Sequence, residues 1–147
     1  KLQGIITGFV ITAIMQSSSA TVGILQALSM QGIIPSETAF YIILGQNIGA
    51  VVPVIISSVG ANKVAKQVGI IHLLFNMIGT VFFLILMEFV PFDYIFSFTG
   101  NASMKISLFH ITFNVISTLL LLPFSDLLIK LSEYLTVGFV FYKKKIS

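Results

Sequence analysis

The sequence predicts an all-α integral membrane fold, and two observations carry that reading. The first is composition: of 147 residues, 56% are hydrophobic and only 9% charged. A soluble domain carries about 25% charged residues, so this chain has too few to cover a water-facing surface. The second is where the charges fall. No Asp, Glu, Lys or Arg occurs in the stretches Leu2–Ser36, Thr38–Asn62, Gln67–Met87 and Ile106–Ser125. Each is long enough to cross a bilayer at roughly 20 residues per crossing. Several such stretches in one chain make a helical bundle, because in lipid the backbone must satisfy its own hydrogen bonds.

The elements follow in order as one membrane domain over residues 1–142. Gly4–Met15 is an apolar run of about 18 Å as helix, little more than half of a roughly 30 Å hydrocarbon core. Gln16-Ser17-Ser18-Ser19-Ala20-Thr21 then interrupts it, and a second short run, Val22–Met30, ends at Gln31-Gly32. Polar side chains crowded at one depth in lipid are costly unless they line a cavity or find partners. The predicted form over 4–31 is therefore a re-entrant hairpin of two half-helices. The alternative is one continuous helix whose serines bond back to carbonyls a turn earlier. Pro35 and Ser36 mark the next start, with Ser36 as N-cap. The span 38–59 contains Gly45-Gln46-Asn47-Ile48-Gly49 and Pro53, which predict a helix broken near mid-membrane. Further spans are predicted at 64–88 and 104–122, the latter stopping at Pro123. Phe89–Gly100 joins them along the interface. Residues 125–142 mix Asp126, Lys130 and Glu133 with leucines at helical spacing, an amphipathic surface helix or else a weak final span. A basic tail, 143–147, completes the chain.

Charge excludes some functions and orients the rest. The net charge is +3, and all eight basic residues are lysines, which cannot build a basic groove for nucleic acid. Lys143–Lys145 read instead as an anchor against anionic lipid heads. Counting crossings puts Lys63, Lys66 and the C-terminus on one side, Glu37 and Asp93 on the other. The lysine bias assigns the first side to the cytoplasm. The absence of cysteine rules out disulfides and thiolate metal sites. No organic cofactor is expected. The start at Lys1, without a signal-peptide pattern, suggests a piece of a longer protein.

The side chains that can carry chemistry cluster at two places. An anion wants N–H and O–H donors and gains from a helix N-terminus. Sodium, a hard cation, wants several oxygens. Gln16, Ser17, Ser18, Ser19 and Thr21 supply both kinds of group, and Gln46 and Asn47 offer amides beside an expected stretch of freed backbone. Either cluster also reads as polar glue between helices. A short repeat adds a polar stripe: His72-Leu73-Leu74-Phe75-Asn76 matches His110-Ile111-Thr112-Phe113-Asn114. In each copy His, Asn and a Thr (Thr80, Thr118) sit four residues apart on one helix face. Two histidines without carboxylate or thiolate support make no metal site. They read as helix contacts, with a proton relay as the sharper alternative. A serine hydrolase lacks a strained nucleophile turn here, so the chain is read as no enzyme.

Taken together, QSSSAT, GQNIG, GANK-x-AK running into HLLFN, then HITFN and LLLLPF resemble the type II sodium–phosphate cotransporter family over most of Gly4 to Leu131. The resemblance implies one half of an inverted-repeat transporter, the second of two repeats that each carry a QSSS hairpin. It implies inorganic phosphate as substrate and sodium as coupling ion, bound between the two hairpins by alternating access. Gln16, Ser17, Ser18, Ser19 and Thr21 are then site residues with Asn47 nearby, and Ser17, Ser18, Ser19 and Asn47 the sodium ligands. It also implies a partner, either a first repeat or a second subunit, in an inner or plasma membrane. One departure bears on sodium: Ala50-Val51-Val52-Pro53 stands where the family often has threonine. Rival readings keep the fold and change the cargo to another anion, reverse the direction, or make the chain a non-transporting assembly half.

Overall fold

A computed structural model describes the backbone of residues 1–146 and the side chains of residues 1–136. The described residues are 87% helical, with no strand among them. Three helical stretches are long and apolar enough to cross a membrane: Ser36–Ser58, Lys63–Phe89 and Ala102–Thr136. The basic side chains of the tail, Lys143–Lys145, lie outside the described residues.

The first apolar run is two helices, α1 (Leu2–Met15) and α2 (Ser18–Met30). Gln16 ends α1 in the left-handed conformation at φ 54°, and its N–H reaches back to the Thr12 carbonyl. Ser17 is extended and caps α2, accepting the Ala20 N–H at 3.3 Å. A left-handed residue followed by an N-cap is how one helix stops and a second begins in a new direction.

α3 (Ser36–Gly49) and α4 (Val52–Ser58) make up the first long span. The break expected near Gly45–Gly49 falls just after those residues. GQNIG itself stays helical, and the interruption lies at Ala50 and Val51, ahead of Pro53, which has no N–H to continue the ladder. Both residues keep right-handed helical angles, so the result is a tight step rather than an unwound segment. Ser36 does not cap α3. Pro35 holds that position, and the Ser36 hydroxyl donates to Asp93.

α5 (Lys63–Phe89) starts at Asn62, whose side chain accepts the Ala65 N–H at 2.9 Å. The connection to the next span carries a short helix, α6 (Phe92–Ile95), and a 3-10 turn at Phe96–Thr99. α7 (Ala102–Leu121) is capped by Asn101 and leads through a 3-10 turn at Pro123 into α8 (Ser125–Ile146). α8 packs chiefly on α5, and its one buried stripe among the described side chains is Leu128, Ser132 and Thr136.

Phenylalanines hold α3, α5 and α7 together. Phe40 stacks on Phe109 with centroids 4.3 Å apart, and Phe83 lies against Phe92, Phe109 and Phe113 at 5.0–5.9 Å. Phe92 and Phe96 fold back from the connection into this cluster. A polar clamp closes the same end of the bundle. Asp93 accepts from both Ser36 and Lys105, the latter at 2.9 Å. These contacts hold the Asp93 carboxyl below its ordinary range, the Ser36 hydrogen bond first and the Lys105 ammonium after it.

Candidate functional site

The hairpin is placed by how closely α1 approaches α3. A Cβ on Gly8 would stand 1.9 Å from the Ile42 carbonyl oxygen, and one on Gly45 would stand 1.8 Å from that of Ile5. Only glycine lets two backbones come this near, the small-residue packing of membrane helices. Gly4 lies against Tyr41 and Gly49 against Phe9 and Thr12, so the two helices run parallel. α2 then returns toward the start of α3, its first carbonyl bonded by Gln46 and its far end near Ser36. Both arms thus end beside the start of the Ser36–Ser58 span. Gly49 already lies against Thr12, one turn short of Gln16, so the tip stands within the second half of that span and the Gln46 amide reaches toward it from the eleventh of its 23 residues.

Five side chains meet there. Ser17 and Ser19 bring their hydroxyls within 3.3 Å of each other. Thr21 donates to the Ser17 carbonyl at 3.0 Å, and the fully buried Thr12 reaches the Thr21 hydroxyl at 3.4 Å, linking the two arms below the tip. Gln46, also fully buried, donates its amide to the Ser18 carbonyl at 2.5 Å, while its own Oε1 has no partner. Gln16 and Ser19 are exposed, and Ser17 and Ser18 half-buried. The N–H groups of Ser18 and Ser19 open α2 and have no carbonyl within the helix to bind. The tip therefore presents helix N–H groups, three hydroxyls and an unpaired amide oxygen, a set that suits an anion and a small cation alike.

The remaining candidates lie elsewhere. Asn47, next to Gln46 but turned by 100° on the helix, donates to the Ile43 carbonyl at 2.9 Å within its own helix. Asn76 and Asn114 do the same with the carbonyls of His72 and His110, at 3.0 and 2.8 Å. α5 and α7 run antiparallel, with Phe83 against Phe113 and Gly79 against Ser117. In that register His72 faces the level of residue 124, and His110 that of residue 86. The two histidines are thus kept apart in depth, and neither joins the tip. No group of three or more His, Cys, Asp or Glu is arranged to hold a metal among the described residues.

Sequence reasoning missed Thr12 and Gln26. Thr12 continues the four-residue spacing of Gly4 and Gly8, a signal that could have placed it on the face of α1 turned to α3. Gln26 lies two turns along α2 from the serines and donates to the Ser107 hydroxyl at 2.7 Å and the Ser103 carbonyl at 3.3 Å. Its partners are 77 and 81 residues away, and nothing in the local sequence names them.

Known proteins are similar to this sequence over part of their length. The family described as Na+/Pi-cotransporter matches residues 1–141. An uncharacterized protein of Bacillus subtilis, YqeW, is 32% identical over 131 residues, covering 89% of this chain and 42% of that protein. YjbB of Escherichia coli, named for inorganic phosphate export, is 29% identical over 124 residues, 81% of this chain and 22% of its own length. The chain therefore spans less than half the length of these relatives. No solved structure matches it.

Proposed function

The chain belongs to the Na+/Pi-cotransporter family, and on that premise we propose that it forms part of a membrane transporter for inorganic phosphate, with sodium as coupling ion and the hairpin tip as one wall of the binding site. The observation that carries this reading is the start of α2. A helix N-terminus opens within the depth of a membrane-length span, surrounded by the hydroxyls of Ser17, Ser18 and Ser19. Phosphate there gains hydrogen bonds from hydroxyls and free N–H groups, together with the favourable end of the helix dipole. Gln46 Oε1 and the serine oxygens offer sodium a partial shell. The rest of that shell, and the second wall, come from outside this chain: another hairpin of opposite orientation, from a first repeat or a second subunit.

The charges at the two ends support an orientation. Lys1, Glu37, Glu88, Asp93 and Lys105 gather at one end, Lys63 and Lys66 at the other. On the positive-inside rule the Lys63 end faces the cytoplasm, in an inner or plasma membrane. The family's other direction, efflux, is favoured by one fact, the phosphate export in the name of YjbB.

Protein that carries this chain together with the second hairpin, purified into liposomes and given labelled phosphate with a sodium or a potassium gradient, tests all of this, and this chain alone is expected to be inactive. Sodium-driven accumulation is expected, and Ser18→Ala is expected to reduce it sharply at unchanged expression. Equal transport by Ser18→Ala and the parent would remove the tip from the site. Flux against the sodium gradient would replace uptake by efflux.

A further inference from the structure

The two arms of the hairpin are held in different ways. α1 touches α3 backbone to backbone. At Gly8, Gly45 and Gly49 a Cβ would fall 1.9, 1.8 and 2.5 Å from a carbonyl oxygen of the other helix. Contacts this close leave no room for sliding, because interiors packed at this density are bistable rather than pliable. α2 has no such seam. Its one glycine within the helix, Gly23, would carry a Cβ into open space, with nothing within 4 Å. A helix-interior glycine weakens its helix, and within this chain no close contact requires this one.

α2 is held by a small apolar face and by side-chain hydrogen bonds. Leu25 is its one fully buried apolar side chain, with Val22 half-buried against the same core and Thr21 and Ser29 flanking it on that face. Gln26 ties it to Ser107 and Ser103 on α7, and Gln46 ties its first carbonyl to α3. The Thr12–Thr21 bond across the arms is long, at 3.4 Å. Ser29 buries its hydroxyl with no partner at all, although a serine at a helix position normally reaches the carbonyl four residues back. Side-chain bonds of this kind exchange at little net cost, and an unpartnered hydroxyl gains a bond if the arm shifts.

We propose that α1 is part of the α3 scaffold, that α2 is the arm that moves, and that Gln26 is the positioning residue that sets where the serine tip stands. Movement of α2 alone would swing Ser18 and Ser19 about the Gln16–Ser17 joint while Thr12 stays fixed. The consequence for transport rests on the reading of the tip as the binding site. The motion itself does not, and the experiment separates the two.

The chain has no cysteine, so introduced pairs label uniquely within it. One spin-label pair at Ile6→Cys and Thr38→Cys reports α1 against α3. A second at Ile24→Cys and Ile111→Cys reports α2 against α7. Distances are measured by pulsed electron resonance in lipid bilayers, with and without inorganic phosphate. The first pair is expected to give one narrow distribution under every condition. The second is expected to broaden in Gln26→Ala and to narrow in Gly23→Ala. Ser107→Ala, which removes only the acceptor hydroxyl, is expected to broaden it too and serves if Gln26→Ala does not fold. The two pairs broadening together, or the second unmoved by all three substitutions, would overturn the proposal. If the substitutions move the second pair as expected but phosphate has no effect on it, the moving arm stands and the phosphate site at the tip falls.

Discussion

Three asparagines, Asn47, Asn76 and Asn114, spend their amides on the carbonyl four residues back, whereas the neighbouring Gln46 crosses to another element. Composition put all four among the candidates, and their types were equally suited. What separates them is the face of the helix on which each lies, together with Gln's extra methylene, and a face is assigned only once its neighbour is known. Ser18 and Gln46 are accordingly the residues to test. Gln46→Leu keeps the volume, removes the bond to the hairpin, and also removes the orphan Oε1. Its stability in detergent is expected to stay within about 1 kcal/mol of the parent, because losing a bond and an unsatisfied oxygen act in opposite directions, while transport falls. Ser29→Ala is expected to leave transport intact and stability equal or slightly higher, since it deletes a buried hydroxyl without a partner. A large loss of thermal stability in Ser29→Ala would mean that the hydroxyl is bonded after all. His72→Gln, which keeps a polar side chain and removes an ionisable one, is expected to transport phosphate with an unchanged pH profile. Loss of activity at normal expression would argue for proton handling.

Among the elements, the hairpin was legible and the seam that fixes it was not. Four polar residues at Gln16–Ser19 interrupting two runs too short to cross favoured a break over one continuous helix, and Gln16 supplies it with a left-handed backbone. GQNIG was read for its polar pair and expected to unwind. Its two glycines are instead spaced by four on an intact helix, set against the backbone of Ile5 and Phe9. The same letters therefore served packing, and the step in the helix came from Pro53, one turn later. Gly45→Ala tests this directly. The added methyl meets the Ile5 backbone, which cannot rotate away, so a loss of about 1–3 kcal/mol is expected, seen as a lower unfolding temperature in detergent. Gly23→Ala, with nothing near the new methyl, is expected to raise stability by up to about 1 kcal/mol. Similar effects at both glycines would remove the distinction between seam and open face.

On the scale of the whole molecule, three of the four charge-free stretches coincide with the candidate spans among the described residues, and the first, cut by its polar residues, does not. The partners across the bundle, such as Asp93 with Ser36 and Lys105, lie outside the reach of any local pattern. That clamp makes the closed end of the bundle acid-sensitive. The folded Asp93 pKa lies below its ordinary value, so its contribution is full above that value and is lost as pH falls through the depressed one. Asp93→Asn is expected to lower stability at neutral pH and to flatten the fall in stability on acidification. Parallel acid titrations of parent and variant in detergent check it, and identical curves would show the clamp to be idle.

The depth of the hairpin tip has an electrical consequence. Gln46, whose amide reaches the tip, is near the middle of its 23-residue span, so for a voltage falling evenly along the span, a sodium ion bound beside that amide, as proposed, traverses about half of it. A full crossing is worth about 2.3 kcal/mol per charge at 100 mV, and half of that, about 1.2 kcal/mol, is roughly sevenfold in affinity. Sodium binding from one side should therefore tighten, and from the other weaken, by that factor when 100 mV is imposed. Charge displaced by sodium steps under voltage clamp, without phosphate, would measure the fraction; a value near zero would move the ion site out of the tip and into water.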